Sequence, residues 1–299
     1  MKPRFFCVIG NRDHLKINGV KEPIWKYINP FPEQFLTSLI YSKNLPLPPH
    51  AKQIFFDCGA WSYKHLPEPK WGPAGCAAMY RKLACPGDMV ASPDHMVLRN
   101  HTPEEELYRL NITLDNAREF IKLVPKGVIP VGVIHGNSLD TRLMAAQELL
   151  EMGYKYLAIG GVAGRAGAKK YIHSVLEAVC KLRQQQPFKI HVLGISSIRW
   201  VREYKQYCID SFDGSSMFFS AFTGASYYAL DLSSGGGGIK KYSVKELAKE
   251  QIPICNCPAC EVIRSIGLDT REMGSNERNM GRAVHNINVY LQALKEVTN

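Results

Sequence analysis

Val128-Ile-Pro-Val-Gly-Val-Ile134 runs into His135-Gly136-Asn137, a helical stretch Leu139–Met152 follows, Gly153 stops it, and Tyr156-Leu-Ala-Ile159 ends in Gly160-Gly161. Each apolar run has strand length and β-branched content, and the stretch between has the length of a helix. Gly153 supplies the left-handed residue with which helices commonly end. The stretch is therefore a strand–helix–strand unit, and two strands joined through a helix lie parallel. The same pattern extends in both directions. Further strand-like runs are Gln53–Phe56, Met89–Ala91, Lys189–Leu193 and Cys208–Phe212. Helical stretches lie between them, one over Lys169–Gln185 and one opening at Thr102-Pro-Glu-Glu-Glu. There Thr102 is the N-cap, Pro103 sits in the first turn, and the acids complement the helix dipole. Six such strands alternating with helices predict an α/β fold, a (β/α)8 TIM-type barrel. A doubly wound open sheet is the structural alternative, but no dinucleotide-binding fingerprint accompanies it.

Every apolar run ends in a polar or glycine-rich tip. The tips are Asp57-Cys-Gly59, Ser92-Pro-Asp94-His95, His135-Gly136-Asn137, Gly160-Gly161, Gly194-Ile-Ser196 and Asp213-Gly-Ser215. In a barrel these tips share the C-terminal rim, where active sites are built. One rim then carries Asp57, Asp94, His135 and Asp213, and paired carboxylates suit glycosidic chemistry. Taken singly, each of these residues also fits a turn or a helix cap.

The 299 residues are 45% hydrophobic and 21% charged, the profile of a globular chain with a sizeable core. The formal net charge of +10 favours an anionic partner such as nucleic acid, although many globular proteins are simply basic. No segment has the length and apolarity of a membrane span. The apolar patch Phe5–Ile9 is cut short by Asn11, Arg12 and Asp13, so no signal peptide is predicted. The expected location is cytoplasmic, which makes the nine cysteines thiols or ligands, not disulfides. Cys7, Cys58, Cys76, Cys85, Cys180 and Cys208 are scattered and read as small apolar residues.

Cys255, Cys257 and Cys260 differ, because their spacing puts three sulfurs on one turn. Zinc takes four tetrahedral thiolate and imidazole ligands. The fourth is expected to be His285, in a segment with helical apolar spacing at Val284, Ile287 and Leu291. With all four positions filled by protein, the site is structural. The alternative is three buried cysteines and an unrelated histidine. The expected organisation is a barrel over residues 1–250 and a zinc-binding subdomain with a C-terminal helix over residues 251–299.

These motifs, in this order, resemble the tRNA-guanine transglycosylases. That family is built on a (β/α)8 barrel with an inserted zinc subdomain bound by C-x-C-x-x-C and a distant His. Its Asp-Ser-Gly-Gly-Phe tip resembles Asp57-Cys-Gly-Ala-Trp61, and its Gly-Ile-Val-Gln-Gly resembles Gly132-Val-Ile-His135-Gly136. Its Gly-Gly-Leu-Ala resembles Gly160-Gly-Val-Ala163, and its Phe-Asp-Cys tip resembles Phe212-Asp213-Gly214. The likeness runs from about Gln53 to the C-terminus. It implies that Asp213 is the nucleophile and Asp57 the general acid and base. It further implies that Asp94, His135 and the Gly161–Val162 backbone hold the edge of a 7-deazaguanine base, between Trp61 and Leu193. His135 replaces a glutamine.

The tRNA-acting members follow their nucleophile with Pro-Thr-Arg-Asn-Gly-Arg, whereas this chain has Ser215-Ser-Met-Phe-Phe219-Ser-Ala-Phe222. The arginines are gone. This suits the paralogues that place 7-deazaguanine bases into DNA, found in phages and bacterial modification clusters, with tRNA as the other substrate. Two further classes stay open, a non-catalytic partner subunit that keeps the zinc fold and a zinc-dependent nucleic-acid-binding module. Met217, Phe218, Phe219, Phe222, Tyr227 and Tyr228 read either as a wall for unpaired bases or as core. Lys240, Lys241, Arg165, Lys169 and Lys170 are the expected phosphate contacts.

Overall fold

The computed structural model describes residues 2–41, 46–163, 168–231, 238–247 and 252–298. Eight parallel strands close a barrel: β1 (Arg4–Val8), β2 (Gln34–Ser38), β3 (Gln53–Asp57), β4 (Met89–Ala91), β5 (Ile129–Ile134), β6 (Tyr156–Ile159), β7 (Lys189–Val192) and β8 (Ser211–Gly214). Each strand pairs with its neighbour in sequence, and β8 closes on β1 with Phe6 opposite Asp213. The last strand begins three residues later than its apolar run suggests, so Asp213 lies within β8 and not beyond it.

Alternation along each strand separates two cores. Phe6, Leu36, Phe55, Met89, Ala91, Val131, Val133, Tyr156 and Ala158 fill the barrel interior. Intervening residues such as Leu157, Ile159, Ile190 and Val192 pack under the outer helices. With strands buried on both faces, continuous apolar runs replace the half-polar alternation of an exposed sheet. The outer helices include Pro103–Leu123, Leu139–Glu151 and Lys169–Gln185. Thr102 caps the first by accepting the Glu105 N–H, and Ser138 caps the second in a reciprocal capping box with Thr141.

The first fifty residues supply β1 and β2, which the strand–helix pattern does not mark. Between them the chain forms a small hairpin, His14–Ile17 with Val20–Pro23, and a 3-10 turn at Ile24–Tyr27. No α-helix separates the two strands, so the alternation that reveals the other six is missing. The C-terminal helix Asn276–Thr298 packs against the barrel's first strand, with the Tyr290 ring 5.0 Å from that of Phe5. Asn288 pins it to the N-terminal segment by accepting from Asn29 N and donating to Tyr27 O. Among the described residues no helix is long and apolar enough to cross a membrane.

Candidate active site and metal centre

The inward register that stacks Phe55 in the core brings Asp57 to the barrel mouth two residues later. Its Oδ2 accepts the Gly59 N–H at 2.9 Å. Gly59 has φ 93°, and a β-carbon there would lie 2.7 Å from Ser38 Oγ, so the turn that aims this donor requires glycine. Loss of hydration, then the charges of Asp94 and Asp213, push the Asp57 carboxyl up to about 7. The three rim acids therefore share one electrostatic site.

Asp94 is buried and fully engaged. Cys58 Sγ donates to its Oδ1 at 2.8 Å, and His135 Nε2 lies 2.6 Å from its Oδ2. Burial first, then the neighbouring Asp94 charge, hold the Cys58 thiol protonated. Asp57, Cys58 and Asp94 also bring ligand atoms within 4.8 Å of one another. A protonated thiol donating to a carboxylate describes a hydrogen-bonded pocket better than a metal site. His135 is 1% exposed, and its Nδ1 has no partner among the described residues. Gly160 makes room for this ring, since a β-carbon there would fall 2.8 Å from His135 Cε1, and Gly161 takes a left-handed φ of 68° beside it. Buried Arg142 donates to Gly160 O at 3.0 Å and to the Tyr171 hydroxyl at 2.9 Å, tying the glycine tip to two helices.

Asp213 lies across the mouth. Its Oδ1 accepts the Gly194 N–H at 2.9 Å and faces His191 Nε2 at 3.1 Å. His191 is fully buried on β7, with the rings of Phe6 and Phe55 edge-on to it. Its Nδ1 meets Ser211 Oγ at 2.7 Å, Ser211 meets the Tyr156 hydroxyl at 2.6 Å, and Arg4 donates to that hydroxyl at 3.5 Å. Of the other residues read from sequence, Val162 is buried and Leu193 packs on the interior core. Trp61 is 56% exposed with the Lys64 ammonium 3.3 Å over its ring.

The aromatic segment after Asp213 is mostly core. Met217, Tyr227 and Tyr228 are buried, Phe218 and Phe222 are partly so, and Phe219 is 58% exposed. Lys169, Lys170, Lys240 and Lys241 are exposed. Arg165 lies outside the described residues. His191, Ser211, Tyr156 and Arg4 are site residues outside the strand-end tips. Their signal was present: a histidine flanked by Ile190 and Val192 holds an inward position of a barrel strand.

Cys255, Cys257, Cys260 and His285 bring their ligand atoms within 4.8 Å of one another and could hold a metal ion. Gly281 permits this, because a β-carbon there would meet Ile263 Cγ1 at 2.3 Å, so the helix Pro258–Ser265 lies close against the C-terminal helix. His285 Nε2 donates to Tyr228 O at 2.8 Å, which leaves Nδ1 bare and turned to the sulfurs. Nδ1 is 3.6 Å from Cys257 Sγ and 3.4 Å from Cys260 Sγ. A tetrahedral zinc at ordinary bond lengths sets nitrogen and sulfur about 3.6 Å apart, and three thiols with one imidazole are a zinc donor set. The Tyr227 ring stacks on His285 at 4.1 Å and fixes its plane.

A family model described as queuine tRNA-ribosyltransferase matches residues 79–299. The chain belongs to this family. The match covers Asp94, His135, Asp213 and all four metal-site residues, and Asp57 and Trp61 precede it. Among curated relatives, a DNA-guanine transglycosylase of Salmonella montevideo is 26% identical over 184 residues, 58% of this chain and 43% of that protein. A tRNA-guanine(15) transglycosylase of Thermococcus kodakarensis is 29% identical over 192 residues, 63% of this chain and 30% of that protein. The enzyme of that name from Pyrococcus furiosus is 27% identical over 199 residues, 62% of this chain and 31% of its own length. The chain thus spans less than half the length of these relatives of the queuine tRNA-ribosyltransferase family.

Proposed function

We propose that the protein is a base-exchange transglycosylase that replaces guanine in DNA with a 7-deazaguanine base (preQ0-like) through a covalent Asp213–glycosyl intermediate. The observation that carries this is the pairing of two carboxyls in opposite roles at one rim. Asp57 is pushed up to about 7, where a general acid and base works best, while Asp213 Oδ1 accepts the Gly194 N–H and faces His191 Nε2. Asp213 attacks C1′ as the glycosidic bond breaks, and the departing guanine takes a proton from Asp57. The incoming base returns that proton and displaces Asp213. Two moderate steps thereby replace one difficult one.

Asp94 and His135 form the floor of the base pocket, with the Gly161–Val162 backbone beside them. Trp61 and Leu193 are assigned to the two faces of the base. Residues 251–299 are the zinc-binding subdomain, and the zinc held by Cys255, Cys257, Cys260 and His285 is structural. A base stacked in duplex DNA must be flipped out or met single-stranded. The preference for DNA rests on the arginine-free stretch Ser215–Phe222 and on the name of the Salmonella relative. The archaeal relatives' names favour tRNA as the second reading. A cytoplasmic location suits either substrate. The test is exchange of radiolabelled guanine into genomic DNA and into total tRNA. Incorporation into DNA alone is the expected result; tRNA alone would reverse the substrate. No incorporation into either would favour a non-catalytic partner subunit or binding module.

A further inference from the structure

We infer that His191 is a positioning residue that selects which oxygen of Asp213 attacks. The inference rests on the reading of Asp213 as the nucleophile. Among the described residues, Gly194 N–H and His191 Nε2 are the two groups within hydrogen-bond reach of this carboxylate, and both converge on Oδ1. Among those residues no hydrogen bond reaches Oδ2, which faces C1′ in this reading.

The direction of the hydrogen bonds follows from the two ends of the buried chain. Arg4 only donates, and a carboxylate only accepts. A His191 ring carrying one proton fits these ends in one way: the Tyr156 oxygen takes the Arg4 N–H, its own O–H passes to Ser211 Oγ, and the Ser211 O–H passes to His191 Nδ1. That leaves His191 with its proton on Nε2, facing Asp213 Oδ1. Every link crosses the barrel interior, from the first residue of β1 to the mouth, among the rings of Phe6 and Phe55. Water has no access to His191, which is 0% exposed, so the tautomer is set by Ser211 at Nδ1 and Asp213 at Nε2.

The arrangement serves both halves of the exchange. When Oδ2 bonds to C1′ and the glycosidic electron pair leaves with guanine, Oδ1 changes from carboxylate to ester carbonyl oxygen. When the incoming base displaces Asp213, the Oδ2–C1′ electron pair returns to the carboxylate. The two donors stay on Oδ1 throughout and need no rearrangement, which is how preorganised donors lower barriers.

Two readouts test this. The first needs no substrate: nitrogen-15 NMR of the zinc-loaded full chain at pH 7, with His191 assigned from His191→Gln. The expected spectrum has His191 protonated at Nε2 only, the tautomer that Ser211 and Asp213 both require. An Nδ1-protonated or doubly protonated His191 in the wild type would overturn the inference. The second is guanine exchange. His191→Leu keeps the apolar fill but loses the donor, and kcat should fall about 100-fold or more with KM little changed. His191→Gln restores an N–H at that reach and should recover most of kcat. Wild-type kcat in His191→Leu, or no recovery in His191→Gln, refutes the positioning role. If His191→Leu does not fold, Ser211→Ala decides, with a several-fold loss of kcat expected and an unchanged kcat refuting. Full activity in Asp213→Asn would instead remove the nucleophile reading, and the NMR result would still stand on its own.

Discussion

Asp57→Asn should inactivate the protein and yet stabilise it, increasingly so as pH rises. The wild-type carboxyl is lifted from 3.8 to about 7, mainly by lost hydration and then by Asp94 and Asp213. The folded state thus holds a proton that the unfolded chain has already released. Below about pH 4 both states are protonated and the group costs nothing. Between about pH 4 and pH 7 the wild type loses stability, because only the unfolded state ionises, and above pH 7 the loss levels off. About 3 units at about 1.4 kcal/mol each set a ceiling near 4 kcal/mol. Asparagine keeps the size, and its carbonyl can still accept the Gly59 N–H, so it removes the charge alone. Urea unfolding of zinc-loaded wild type and Asp57→Asn at pH 5 and pH 8 measures the effect. The variant's advantage should be about 2 to 3 kcal/mol larger at pH 8 than at pH 5. An advantage that is constant or shrinks with pH would show that Asp57 does not sit in this shared electrostatic site.

Asp213→Asn should abolish guanine exchange while leaving the melting temperature and nucleic-acid affinity close to wild type; retained turnover would exclude it as nucleophile. Elemental analysis should find about one zinc per chain, and chelation should release protection of amides in the region of Cys255–Leu291, since metal-binding energy here is folding energy. Cys260→Ser with full zinc content after dialysis would contradict the ligand set. Gly160→Ala should raise KM for the free base at least tenfold, because its methyl group needs the place of His135 Cε1; an unchanged KM would take His135 out of the base pocket. The pair Lys240→Ala with Lys241→Ala should lower DNA affinity regardless of sequence and reduce the salt slope by about 2. An unchanged slope in filter binding moves the DNA to another face.

Local signals carried the repeating part of the molecule. Apolar runs of strand length, a capping threonine at 102 and a stopping glycine at 153 act over a few residues, and the structure has strands and helices there. The spacing Cys255-x-Cys257-x-x-Cys260 is equally local, because thiols so close in sequence converge whatever surrounds them. His285 needed more: its approach depends on Gly281 admitting Ile263, and its tautomer on the carbonyl of Tyr228, 57 residues away in sequence. β1 and β2 were hidden because only barrel closure gives their short runs partners on both sides. The rim acids could be named from strand ends, but their electrostatics could not. The lift of Asp57 arises from lost hydration and from carboxylates 37 and 156 residues away in sequence, brought to one mouth by closure. The chain from Arg4 to Asp213 joins four strands, β1, β6, β7 and β8, through side chains that read individually as unremarkable core. Hydrogen-bond direction and desolvation belong to groups packed together in three dimensions, so only the tertiary structure decided them.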